Sequence, residues 1–195
     1  LQRELGLSQD ETDIIRYGIQ IVVYSLAGII TICLMGWLLG CFWTTLTVAL
    51  TAGSLRLLSG GAHSSSPIVC NLVGMVVAPL LAKIAEFAAK QVSQPQLLFI
   101  VIVGALFSLL IFYLLAPVDS AAKPITSEHE KRKYKYLSLT LAFILFVGQI
   151  SLTLLGHHSA FVLAVSLGTC WQAISLTKAG HLFAAKIDHL LIRRC

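Results

Sequence analysis

Cys70 and His63, a thiol and an imidazole, stand seven residues apart in the one polar, glycine-rich break of an otherwise apolar first ninety residues. The break reads Arg56-Leu-Leu-Ser-Gly-Gly-Ala-His-Ser-Ser-Ser-Pro-Ile-Val-Cys-Asn71, with Arg56 seven residues before the histidine. A cysteine beside a group that can take and return its proton is an activated nucleophile. On one unbroken helix the spacing would leave about 10 Å between the two backbones, too far for a hydrogen bond. The sequence does not predict an unbroken helix. Gly60-Gly61 permits a backbone path that other residues resist, and Ser64-Ser65-Ser66-Pro67 reads as a helix start, with Ser66 as N-cap and Pro67 at the first helical position. His63 is then expected on a loop that folds back, and Cys70 in the first turn or at the start of the second. There the positive end of the helix dipole favours a thiolate. Asn71 and the serines at 64–66 are all candidates for a third group that orients the imidazole, and the sequence does not choose among them.

Ordinary readings compete with this one. A histidine in a loop is usually solvated, a cysteine at a membrane boundary usually packs, and a seven-residue spacing is no signature by itself. A metal is not assigned. His63 and Cys70 make only two ligands, and the expected topology puts His157-His158 across the membrane; His63, Cys70, His181 and His189 form a set on one side, but nothing about its spacing favours zinc. Cys33, Cys41 and Cys170 lie in apolar runs and read as small hydrophobes; Cys195, as the last residue, fits no prenylation box.

The elements that must position these groups follow from hydropathy. Of 195 residues, 57% are hydrophobic and only 12% charged, too few charges to cover a soluble domain; the mean hydropathy is +0.85. Continuous apolar runs, not alternating ones, predict an all-α polytopic integral membrane protein. It is read as a single domain over 1–195 with about six spans, at 14–35, 37–54, 67–88, 96–117, 137–156 and 159–177. The first two are separated at Gly36, Pro79 interrupts the third, and the fourth closes at Ala116-Pro117. Short amphipathic interfacial helices are expected at the termini, over 1–13 and 176–192, the latter with Leu176, Ala179, Phe183, Ile187 and Leu190 on one stripe. The polar first dozen residues predict no cleavable signal peptide.

Six spans put both termini, the break at 54–66 and a basic loop at 118–136 on one side. That side collects twelve of the fourteen Lys and Arg residues, leaving Lys83 and Lys90 opposite. The bias predicts that the termini and the His63–Cys70 stretch face the cytoplasm; five or seven spans would lose it. The net charge of +5 is thus read as topology, not as a sign of nucleic acid.

Arg56, Gly61, His63 and Cys70, in the form R-x4-G-x-H-x6-C, resemble the signature of the accessory gene regulator B (AgrB) family, membrane cysteine endopeptidases of Gram-positive quorum sensing. Ala116-Pro117, Lys123-Pro124-Ile125 and Lys131-Arg132-Lys133-Tyr134-Lys135 resemble that family's cytosolic loop before its fifth span. The resemblance implies that Cys70 is a nucleophile and His63 a general base and acid, with Arg56 and Gly61 in support. It implies an AgrD-like precursor peptide, cut before an acidic tail through an acyl-enzyme thioester and closed to a thiolactone or lactone. It also implies a homodimer in the bacterial cell membrane. Lys131, Arg132, Lys133 and Lys135 become candidates for steering the acidic tail, besides fixing topology. Thioester exchange is nearly balanced in energy, so no nucleotide or other cofactor is expected, and no phosphate-binding motif is present. The rival expectation is a non-catalytic transporter or peptide-export component. Charged or broken mid-membrane helices would mark a transporter, and these spans are nearly free of charge.

Overall fold

The structure is a computed structural model that describes residues 8–62, 66–118, 127–156 and 158–192. These form seven helices: α1 (Gln9–Leu38), α2 (Phe42–Ser59), α3 (Pro67–Ala89), α4 (Gln94–Leu115), α5 (Glu128–Leu154), α6 (Ser159–Leu176) and α7 (Lys178–Ile192). The fold is all-α.

Side-chain contacts fix the directions of α2 to α6. Thr44 near the start of α2 donates to Glu86 near the end of α3. Gln94 at the start of α4 donates to the Thr153 carbonyl at the end of α5, at 2.9 Å. At the opposite end of the bundle, Gln172 of α6 bonds Ser59 at the end of α2, and Lys135 of α5 lies over the Tyr113 ring of α4. Consecutive helices therefore alternate. The end of α2, the start of α3, the end of α4, the start of α5 and the end of α6 share one end, called here the site end.

Large apolar side chains point outward on the long helices, among them Ile30, Val76, Phe99, Leu106, Leu110 and Ile144, each more than half exposed. That is the pattern of a protein solvated by lipid. Inside, small residues let the backbones close. A Cβ on Gly168 of α6 would come within 3.0 Å of the Val48 carbonyl of α2, and one on Gly36 of α1 within 2.8 Å of Thr45. Among the described residues no buried side-chain N or O atom lacks a hydrogen-bond partner, as a low-dielectric surrounding demands.

Five helices, all but α2 and α7, are long and apolar enough to cross a membrane. The expected second span is α2. It is as long as α6, at 18 residues, but is diluted by four threonines, two serines and Arg56. Thr44, Thr45, Thr51 and Ser59 are buried. The helix packs against α1, α3, α5 and α6, so its polar face meets protein.

Several boundaries move. The first turn falls at Leu39-Gly40, where Gly40 takes φ 65°, and not at Gly36, so α2 lies five residues later than expected. Residues 9–13 are the opening turns of α1, not a separate interfacial helix; residues 1–7 lie outside the described residues. A reciprocal Ser8–Glu11 capping box starts α1 ahead of its apolar run. Asn71 near the start of α3 meets α1 at Tyr24 and Gly28. The preceding stretch, 9–23, therefore carries α1 about 20 Å past that contact. The stretch 118–136 is also not all loop, since α5 begins at Glu128; residues 119–126 lie outside the described residues. α4 closes at Ala116-Pro117, a cis peptide bond, and α7 is the expected amphipathic helix, with Phe183 edge-on to Trp171 of α6. Pro79 sits buried inside α3, which continues through it.

Candidate active site

The site is built around the chain reversal between α2 and α3. Arg56 lies in the last turn of α2, where a cation suits the carbonyl end of the dipole, and its Nη2 donates to the Ala62 carbonyl. The Gly60 N–H donates to the Arg56 carbonyl at 2.9 Å and ends the helix. Gly60 then takes φ 68° and ψ −146°, a region only glycine occupies freely. It pairs with Val118, just past α4, as an isolated parallel bridge, in which the Val118 N–H donates to the Ser59 carbonyl at 2.9 Å. Gly61, at φ 135°, passes so close to α6 that a Cβ would stand 2.6 Å from Ser175 Oγ. The Ala62 N–H donates to the Ser175 carbonyl at 2.9 Å.

Gln172 completes the arrangement. Its Nε2 donates to Ser59 Oγ at 2.9 Å and to the Gly60 carbonyl at 2.7 Å, and only 1% of the residue is exposed. Four parts of the chain thus hold residues 59–62: α2 itself, the end of α4 and two positions on α6. At Ala62 both backbone groups are bonded. His63, Ser64 and Ser65 lie outside the described residues.

α3 begins as its composition directs, with Ser66 extended at the N-cap (φ −115°, ψ 126°) and Pro67 at its head. The Cys70 N–H closes the helix's opening turn onto the Ser66 carbonyl at 3.1 Å. The Cys70 side chain is half-buried, and helix geometry tilts it back toward the start of α3. Two of the other described cysteines are occupied differently. Cys41 is buried, with its sulfur 3.4 Å from Thr45 Oγ1, and Cys170 lies 3.6 Å from Ser108 Oγ within the α4–α6 packing.

Asn71, offered as an orienting group, is engaged elsewhere. Its Nδ2 donates to the Tyr24 carbonyl of α1 at 2.8 Å, and its Oδ1 packs where Gly28 leaves room. It ties α3 to α1.

The four basic candidates stand on the first turns of α5. Lys131 pairs with Glu128 at 2.9 Å, and that hydrogen bond, reinforced by the lysine's charge, holds the Glu128 carboxyl below the usual carboxylate range. Lys135 lies 4.6 Å from the centre of the Tyr113 ring. Arg132 and Lys133 are exposed. All four are at the site end.

Reading by motif missed Ser59, Val118, Gln172 and Ser175. Gln172 left a signal, an amide in an otherwise apolar run, which in a membrane span implies an internal partner.

Five helices long and apolar enough to cross a membrane, with large apolar side chains on their exteriors, define a multi-pass membrane protein. The chain belongs to the accessory gene regulator B family, whose model matches residues 1–176. It is 34% identical over 192 residues to a putative AgrB-like protein of Clostridium perfringens strain SM101, covering 95% of this chain and 90% of the relative. A second putative AgrB-like protein, from C. perfringens strain 13, is 31% identical over 193 residues, covering 95% and 90%. The accessory gene regulator protein B of Staphylococcus saprophyticus is 31% identical over 146 residues, covering 74% of each chain. No solved structure matches. Family membership supports a role in accessory gene regulator quorum sensing.

Proposed function

We propose that the protein is a membrane-embedded cysteine endopeptidase that removes the C-terminal tail of an AgrD-type precursor peptide and cyclises the remainder. The observation that carries this reading is a coincidence at one end of the bundle. The clamped loop that runs into position 63, the helix start that bears Cys70 and the basic opening of α5 all meet there.

In the proposed reaction the Cys70 thiolate attacks the carbonyl before the tail. The C–N bond breaks, His63 gives its proton to the departing amine, and a thioester remains on Cys70. A thiol or hydroxyl within the peptide then attacks that thioester, passes its proton to His63 and expels the Cys70 thiolate as the ring closes. Arg56 and Gly61 serve by shaping the loop. The basic residues of α5, foremost Arg132 and Lys133, steer the acidic tail. The fold crosses the membrane six times, with α2 as the second pass and the site end in the cytoplasm, and works as a homodimer.

The reading is tested by co-expression with such a precursor: wild type releases the tail, and Cys70→Ser and His63→Ala insert normally but do not. Reactivity gives an independent check. Cys70 is expected to alkylate in membranes several-fold faster than Cys33, Cys41 or Cys170, and equal rates would count against an activated thiol. Orientation is checked at exposed His129 on α5. A His129→Cys variant should take an impermeant maleimide, above the wild-type background, only after cells are opened; labelling of intact cells would reverse the topology.

A further inference from the structure

We infer that Gln172 is a positioning residue for the reaction proposed above: its amide holds the Ser59–Ala62 loop in the path from which the chain delivers its general base to Cys70. The inference rests on that proposed function and adds to it a residue outside the R-x4-G-x-H-x6-C motif.

The Gly60 carbonyl belongs to irregular backbone at the edge of a membrane bundle. Neither a helix nor a sheet ladder supplies it with a partner, and lipid offers none. Gln172 supplies one, at 2.7 Å. Its second amide hydrogen goes to Ser59 Oγ at 2.9 Å, while that hydroxyl donates onward to the Leu55 carbonyl at 2.9 Å. Three residues on, Ser175 Oγ donates to the Gln172 backbone carbonyl at 2.8 Å, and the Ser175 backbone carbonyl accepts from the Ala62 N–H. The Gln172 amide therefore reaches two of the four loop positions, Ser59 and Gly60, while the backbone of Ser175 on the same helix holds Ala62. A glutamine this deeply buried is unfavourable unless its amide is hydrogen-bonded, and both amide N–H groups go to the loop. Because the side chain is sealed inside the bundle, it does not meet the peptide. It acts on the rate of the chemical step and not on substrate binding.

Gln172→Asn keeps the amide but shortens its reach by one methylene. In membrane vesicles titrated with precursor peptide, kcat for tail release is expected to fall by about tenfold to thirtyfold, roughly what two neutral hydrogen bonds are worth, with KM unchanged. The second readout needs no peptide. Cys70 alkylation at pH 7 should slow in Gln172→Asn and in His63→Ala alike, and the double variant should be no slower than His63→Ala alone. A merely structural role would slow alkylation equally in both backgrounds, and that result overturns the inference, as does a wild-type alkylation rate in Gln172→Asn. Should Gln172→Asn fail to accumulate, Ser59→Ala removes one acceptor and leaves the Gly60 bond. A few-fold slowing that vanishes in the His63→Ala background supports the inference, and no slowing overturns it. If His63→Ala slows alkylation but Gln172→Asn does not, this inference alone fails. If His63→Ala has no effect, the proposed function fails and takes this inference with it.

Discussion

Cys70→Ala is expected to reach the membrane in normal amounts and to release no precursor tail, a loss on the order of a thousandfold or more. Stability and chemistry separate well at this position. Cys70 is half-buried in the first turns of α3, and among the described residues the bond that opens the helix is made by its backbone, not its sulfur. The Ser66 carbonyl is met by the Cys70 backbone N–H, which alanine retains. Alanine also suits a helix better than cysteine does. Insertion and detergent melting should therefore match wild type while processing disappears. Cys70→Ser keeps the size and hydrogen-bonding character of the side chain but presents a poorly ionised hydroxyl, and should be as inactive. Full processing by either variant would exclude Cys70 as the nucleophile.

The second large effect is expected at Gly60, where both conformation and space forbid a side chain. Its φ of 68° with ψ of −146° costs a non-glycine residue on the order of 1–3 kcal/mol. A Cβ would in addition stand 2.1 Å from the Val118 carbonyl oxygen, a distance no contact tolerates. Gly60→Ala must therefore open the bridge to Val118 and disturb the bond from Gln172. The variant should melt several degrees lower in detergent and lose tail release even in the fraction that inserts. Gly53→Ala is the control: the same substitution on an exposed part of α2, with nothing within 4 Å of the new methyl group, should leave both unchanged. Wild-type processing by Gly60→Ala would show that the loop path does not matter to the reaction.

The parts of the fold that announce themselves in the sequence are those whose signals are local. Ser66-Pro67 marks the start of α3, Ala116-Pro117 closes α4, and the stripe of Ala179, Phe183, Ile187 and Leu190 among charges makes α7 amphipathic. The boundaries that moved did so for two physical reasons. Between α1 and α2 the turn is made by Leu39, Gly40 and Cys41, which are as apolar as the helices beside them, so hydropathy gives no break and Gly36 is mistaken for one. At α5 the reverse holds. Charge reads as loop, yet Glu128 and Lys131 pair across one turn and help carry the helix out beyond its apolar run. The capping pairs Ser8–Glu11 and Ser93–Gln96 were legible as Ser-x-x-Glu and Ser-x-x-Gln and explain two of the early helix starts.

The site divides the same way. Arg56, Gly61 and Cys70 stand out by type and spacing, but the work of Arg56 does not, because its partner is the Ala62 carbonyl, whose place depends on the backbone path of Gly60 and Gly61. Gln172 and Ser175 lie more than a hundred residues from the loop they hold, and only the packing of α2 on α6 brings them there. Asn71 was offered as an orienting group because it adjoins Cys70 in sequence. One residue further along a helix is about 100° around it, and that turn takes Asn71 to α1.

The most direct test of the account is to trap the bond it requires. Wild-type protein in membranes is incubated with a precursor whose ring-closing cysteine or serine is replaced by alanine, so that the second half of the reaction cannot proceed, and the intact protein is then weighed by mass spectrometry. The expected result is free tail together with an adduct of the remaining peptide on Cys70, released by hydroxylamine as a thioester should be and absent from Cys70→Ala. Tail release that continues in Cys70→Ala, or that proceeds in wild type with the remainder never found on Cys70, would contradict the account.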